Sequence, residues 1–164
     1  MIAKHIRREP DELFGVLAQR LFQERRGARH LDHLWMVNCY AGDGLEDLRY
    51  GIIEIEATQW RNQRVTASKS YYLMVGLRNE APSLEVLAEI ERAFASALGF
   101  EDHQCIASLH RLGDRRYLHI AYNKIHRTSF LCHTPFRDYP ALARVCREME
   151  TRFDLAGEPE GGLQ

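Results

Sequence analysis

Two histidines nine positions apart, His110 and His119, lie where a pair of strands can bring them together. Residues 105–110 and 117–125 are rich in strand formers, and the six residues between them are polar and include Gly113, which predicts a β-hairpin. On the second strand the period of two puts Tyr117, His119, Ala121 and Asn123 on one face and Leu118, Ile120 and Tyr122 on the other. One face is therefore expected to be polar and the other buried, and His110 can meet His119 across the pair. Two imidazoles can begin a divalent-cation site, but zinc and manganese sites want a third ligand, and a histidine pair in a half-buried sheet is more often structural.

The elements that must position this hairpin follow from hydrophobic periodicity. A strand is predicted over Ile2–Ile6 and a helix over 11–24, with Leu13, Leu17 and Leu21 on one face. A strand over 34–39 comes next, then a Gly42-Asp43-Gly44 turn and a helix over 45–60 carrying Leu48, Ile52, Ile55 and Gln59. A strand over Ser70–Leu77 precedes a helix opened by Ser83, with Glu85 and Glu89 near its start, and closed by Gly99. After the hairpin a last helix spans 140–153, with Leu142, Val145, Cys146 and Met149 inward. Strands interrupted by helices, plus one hairpin, predict an α+β fold: a central, mostly antiparallel sheet with helices packed on one face, the other face being the site. Residues 1–155 read as one domain and 156–164 as a flexible tail or the start of a linker.

Composition sets bounds. The 164 residues, 45% hydrophobic, suffice for one domain with a proper core and not for two. Cys39, Cys105, Cys132 and Cys146 are widely spaced and read as reduced packing thiols. No apolar run approaches membrane-spanning length, and the opening strand is followed by Arg7, Arg8 and Glu9, unlike a signal peptide, so the expected place is the bacterial cytoplasm with no membrane insertion. The charge balance, 22 basic against 23 acidic, is not that of a strongly basic DNA-binding module. Its distribution is uneven, because residues 1–29 carry Lys4, Arg7, Arg8, Arg20, Arg25, Arg26 and Arg29 against four acidic side chains, Glu9, Asp11, Glu12 and Glu24. The hairpin turn adds Arg111, Arg115 and Arg116 against Asp114. If the first helix packs near the hairpin, a local positive surface forms there, although ordinary surface charge would look the same.

The chain resembles the conjugative relaxases of the broad-host-range plasmid type, within the HUH endonucleases. The likeness runs nearly end to end: Met1-Ile2-Ala3-Lys4-His5, Val37-Asn38-Cys39, Ala57-Thr58-Gln59, Lys69-Ser70-Tyr71, Leu98-Gly99-Phe100 with His103-Gln104, Asn123-Lys124-Ile125-His126, and Tyr139 with Ala141-Leu142-Ala143. The resemblance implies an enzyme that cuts one DNA strand at a transfer origin with a tyrosine, stays bound to the 5′ end, and leaves through a type IV secretion channel. It also implies three histidines holding a divalent cation on the scissile phosphate.

Four positions depart from that pattern. The first and last histidines match His110 and His119, and Asn123 is retained, but the middle histidine falls on Tyr117 and the aspartate on Leu112. The attacking tyrosine falls on Arg20, and the serine that steadies the DNA beside the cut falls on Gly76. Transesterification at phosphate needs an oxygen nucleophile and a cation on the phosphoryl oxygens. A guanidinium cannot attack, but it can hold a phosphate with two parallel hydrogen bonds. The expected function is thus DNA binding without nicking, through Arg20, Arg111, Arg115, Arg116 and Lys124, with no cofactor and no metal unless His110 and His119 suffice.

Single-stranded or hairpin origin DNA is the expected partner, with an active relaxase and type IV secretion coupling components as further candidates. The alternatives are a divergent relaxase with an unusual nucleophile and a secretion signal or docking module. Tyr117 and Tyr122 are weak substitute nucleophiles, and His30 and His33 weak substitute ligands or histidine nucleophiles. Trp35, Trp60, Tyr71 and Tyr72 could stack on bases, but packing roles are commoner for such positions.

Overall fold

A computed structural model describes residues 1–22, 30–77 and 82–155. Their order is β1 (Ile2–Ile6), α1 (Phe14–Phe22), β2 (His30–Val37), α2 (Leu48–Trp60), β3 (Ser70–Leu77), α3 (Leu84–Leu98), β4 (Cys105–Leu112), β5 (Arg115–Asn123) and α4 (Asp138–Phe153). The strands form one sheet in the order β1-β3-β5-β4-β2, antiparallel at every step. The α+β class and antiparallel sheet are those expected. Arg25, Arg26, Arg29 and Glu24, the predicted helix beyond Phe22 and the predicted tail from 156 lie outside the described residues.

The main core fills the face that α3 and α4 cover. Leu87, Ile90, Phe94 and Leu98 of α3, with Leu142, Val145 and Met149 of α4, close over Leu73, Val75, Leu109, Leu118 and Ile120 of the sheet. The ends of α3 follow from local chemistry. The Ser83 hydroxyl accepts from the Val86 amide at 3.3 Å, and Gly99 ends the helix in the left-handed region at φ 79°. A Cβ at Gly99 would stand 2.7 Å from Nε2 of His133, which bonds the Leu98 carbonyl at 2.7 Å. Gly99→Ala should therefore cost about 1–2 kcal/mol of stability, read as a Tm lower by roughly 2–8 °C in thermal melts.

The second face is not bare. Phe14, Leu17, Ala18 and Leu21 of α1 and Ile55 of α2 pack on Tyr72, Ile106 and Ala121. This corrects the expectation of a polar face on β5: His119, Ala121 and Asn123 are all buried, so both faces of the strand are covered. Alternation of polar and apolar residues reads as exposure only where nothing packs on the polar side.

Several boundaries differ from expectation. α1 begins at Phe14, leaving Leu13 64% exposed ahead of the helix while Phe14 takes the inward place. β2 begins at His30 instead of residue 34, so His30 and His33 are strand residues, with a register shift between Leu31 and His33 that bulges Asp32. As an edge strand it tolerates polar residues that hid it from a periodicity reading. It ends before Cys39, because Asn38 takes a positive φ of 59° and donates from Nδ2 to the Glu101 and His103 carbonyls. Residues Leu45–Asp47 form a 3-10 turn before α2, and α4 starts at Asp138, ahead of Pro140. The hairpin turn is Gly113-Asp114 alone, with Gly113 at φ 58°, so Arg111, Leu112, Arg115 and Arg116 pair in the ladder.

Candidate nucleic-acid interface

Register fixes which of the singled-out residues meet. His110 lies directly opposite Tyr117 and His119 opposite Ser108, so the two histidines are diagonal neighbours instead of a facing pair. Their ring centroids are 5.3 Å apart at 73°, and both rings are buried. On the other side of β5, Gly76 pairs with Tyr117 and Met74 with His119. Three of the positions that the resemblance singles out, His110, Tyr117 and Gly76, thus form one row across three strands. The fourth hairpin position, Leu112, is 48% exposed at the turn end and pairs with Arg115.

Two residues named for other reasons in the sequence, Tyr72 and Lys4, join this face only in the folded chain. The Tyr72 hydroxyl is 2.7 Å from Nδ1 of His119 and helps to fix the orientation of that ring. Lys4, exposed on β1, pairs with Met74 and by alternation shares the histidine face. Seeing either needed the knowledge that β3 lies between β1 and β5.

A three-histidine cation site needs three ligands that converge on one point. Among the described residues no three His, Cys, Asp or Glu side chains converge as metal ligands. Tyr117, where the resemblance implies the third imidazole, is a phenol whose ring centre is 6.5 Å from that of His119. The described residues do not fit the three-histidine cation that the resemblance implies.

The remaining candidates separate. Arg20 is exposed on α1 and pairs with Glu12 at 3.2 Å; Glu12 also accepts from Arg8 at 2.6 and 2.5 Å, and those bonds hold its carboxyl below the usual range. A phosphate reaching Arg20 would compete with that carboxylate. Of the hairpin arginines, Arg115 shares the alternation of Tyr117 and His119, whereas Arg111 and Arg116 face each other across the ladder on the α3/α4 side. Arg116 is partly offset by Asp32 at 3.9 Å. Like charges directly opposite on a sheet repel, so the Arg111/Arg116 pair is eased by any anion that settles there.

Asn123 is buried and far down β5 from the histidines. Its amide donates to Gln104 at 3.0 Å and its carbonyl oxygen accepts from the Ile125 amide at 2.9 Å, so it shapes the turn out of the strand. Lys124 is also buried and donates to the Ser68 carbonyl at 3.0 Å. Tyr122 is wholly buried with its hydroxyl on Glu91, which removes it as a nucleophile. Tyr71 stacks on His5 at 3.8 Å and donates to Asp138 at 2.7 Å.

Residues 25–155 match the profile of the relaxase, MobA/VirD2-like, nuclease domain. The chain belongs to that relaxase family. It is 37% and 35% identical to two proteins from Escherichia coli, each described as Protein TraI, over 94% of this chain and 21% of each relative. It is also 37% identical to Protein MobA of Acidithiobacillus ferrooxidans over 35% of the chain and 14% of that relative. This relaxase-family chain therefore spans about a fifth of the length of its TraI relatives. No solved structure matches it at a significant level. Among the described residues no helix is long and apolar enough to cross a membrane.

The space around Gly76 bears on how its glycine is read. A Cβ there would meet nothing closer than the Ile2 carbonyl at 3.8 Å, and its φ is not in the left-handed region. Packing does not demand glycine at this position. Gly76→Ala should raise the unfolding free energy by about 0.5–1 kcal/mol in denaturant titrations, because glycine inside a strand costs that much relative to alanine.

Proposed function

We propose that this relaxase-family domain binds single-stranded origin DNA, or a hairpin within it, and does not cut it. The observation that carries the reading is Tyr117, which stands directly opposite His110 at the position where the resemblance implies a third imidazole. Two further observations support it. The sequence of α1, Phe-Gly-Val-Leu-Ala-Gln-Arg-Leu-Phe, holds no tyrosine, and the histidine face retains cations at Lys4 and Arg115. Binding then rests on phosphate contacts and would weaken steeply with salt. A protein that holds an origin without nicking it would work beside an active relaxase, in the compartment where the plasmid is replicated.

The test incubates the domain with a labelled single strand carrying an origin-like hairpin, with and without manganese. Anisotropy should report binding while a denaturing gel shows intact DNA and no covalent adduct. A nick or an adduct would overturn the reading.

A second reading, cleavage with an unusual nucleophile, has one observation in its favour: the Tyr72 hydroxyl already touches an imidazole that could take its proton. In that case an adduct forms in the same samples and disappears with Tyr72→Phe.

A further inference from the structure

Two loops at the far end of the sheet are unlike the rest of the chain. Residues 59–69 and 124–137 contain six Lys or Arg side chains and no Asp or Glu, which leaves sixteen basic against twenty-three acidic residues elsewhere. The loops are clasped together. Lys124 Nζ donates to the Ser68 carbonyl at 3.0 Å, Asn62 Nδ2 to the Phe130 carbonyl at 2.9 Å, and the Arg61 guanidinium lies 4.3 Å over the Phe130 ring.

Helix-end electrostatics do not account for this charge. The carbonyls at the end of α2 are met by Lys69, whose ammonium donates to Gln59 at 2.9 Å and Asn62 at 2.6 Å. Arg61, Arg64, Arg127 and Arg137 are left over, and among the described residues none forms an ion pair with a carboxylate, whereas Arg8, Arg20, Arg92, Arg144 and Arg152 each do. The adjoining carboxylate, Asp138, is engaged with His5 and Tyr71.

Apolar rings accompany the unpaired cations. Trp60 is 72% and Phe136 85% exposed, and the Arg137 guanidinium lies 5.2 Å from the centre of the Phe136 ring. A surface of exposed rings interleaved with uncompensated guanidiniums has the chemistry of single-stranded nucleic acid on both counts: phosphates for the arginines and unpaired base faces for the rings. Duplex DNA would satisfy only the first. The patch is separate from the histidine face, since His119 and Lys124 are five residues apart along an extended strand, about 17 Å.

We infer that the clasped loops 59–69 and 124–137 form a second single-strand-binding surface that holds bases and backbone beyond the end of β5. This extends the proposed function and rests on it only for the class of ligand. Binding of labelled oligothymidine is measured by anisotropy over a range of salt, with thermal melts confirming that each variant folds. Arg61→Ala/Arg64→Ala/Arg137→Ala should weaken binding and flatten the dependence of log affinity on log salt by about 2, near 0.7 for each lost phosphate contact. Trp60→Ala/Phe136→Ala should leave that slope in place and cost about 30-fold or more in affinity through the loss of two stacking rings.

Unchanged affinity and slope in the triple variant would overturn the inference. So would an equal loss by the ring variant on blunt duplex, which offers no stacking faces. If Arg115→Ala weakens binding and the loop variants do not, this inference fails while the proposed function stands. A wild-type protein that binds no single strand ends both.

Discussion

Replacing all four departures together, with Arg20→Tyr, Gly76→Ser, Leu112→Asp and Tyr117→His, is expected to create a manganese-dependent nick and a covalent protein–DNA adduct where the wild-type chain gives none. The structure makes this reasonable at each position. A Cβ at Gly76 meets only the Ile2 carbonyl, at an ordinary contact distance of 3.8 Å, Leu112 is half exposed, and Tyr117 stands between Gly76 and His110 in the sheet and is partly buried. The Arg20 side chain is 64% exposed on α1, so a tyrosine ring there displaces no core packing. Groups that act as a unit are non-additive, so the nucleophile without the third ligand, or the reverse, should show no cleavage above background. Full restoration with wild-type binding and still no adduct would mean that the face lacks more than these four side chains.

How much of this was legible in the sequence depends on how local the cause was. The ends of α3 were readable because Ser83 and Gly99 act through backbone groups a few residues away. The hairpin and the inward side of α4 were readable because a period of two or 3.6 survives in one segment. What failed were features set by neighbours distant in sequence. The polar side of β5 reads as exposed until α1 and α2 are laid over it, and the hydrogen bond from Tyr72 to His119 joins residues 47 apart. His30 and His33 lay hidden in an edge strand bulged at Asp32, where no alternation marks the element. The loop cations were visible individually, but their meaning came from the clasp between segments about sixty residues apart in sequence. The motifs that carry the family resemblance turn out to be largely scaffold: Asn38, Lys69, Tyr71, His103 and Asn123 all spend their polar atoms inside the protein. A family resemblance carried by such scaffold residues reports the fold and leaves the cutting chemistry to be tested.

Glu91→Gln should stabilise the domain at pH 8 by about 2 kcal/mol and do nothing near pH 4. The Glu91 carboxyl is 2% exposed under α3, facing Tyr122 and Cys105. Burial pushes its pKa up, against the lowering effect of hydrogen bonds from the Tyr122 hydroxyl at 3.1 Å and the Cys105 thiol at 3.5 Å. A carboxyl whose pKa is raised by folding holds its proton longer in the native state than in the unfolded one. Its contribution to stability is therefore fully present below the ordinary carboxylate range, and it is lost as pH rises through the raised native value. At pH 8 the wild-type protein either buries a charge or distorts to hydrate it, a penalty of several kcal/mol that two hydrogen bonds offset only in part. Glutamine keeps the shape and an acceptor for Tyr122 and has no charge to bury. Denaturant titrations of both proteins at pH 4, 6 and 8 should show the curves coinciding in acid and separating as pH rises. A constant offset at all three would point to packing instead of ionisation, and a lower stability of the variant at pH 8 would mean that the ionised form of Glu91 is the one the fold prefers.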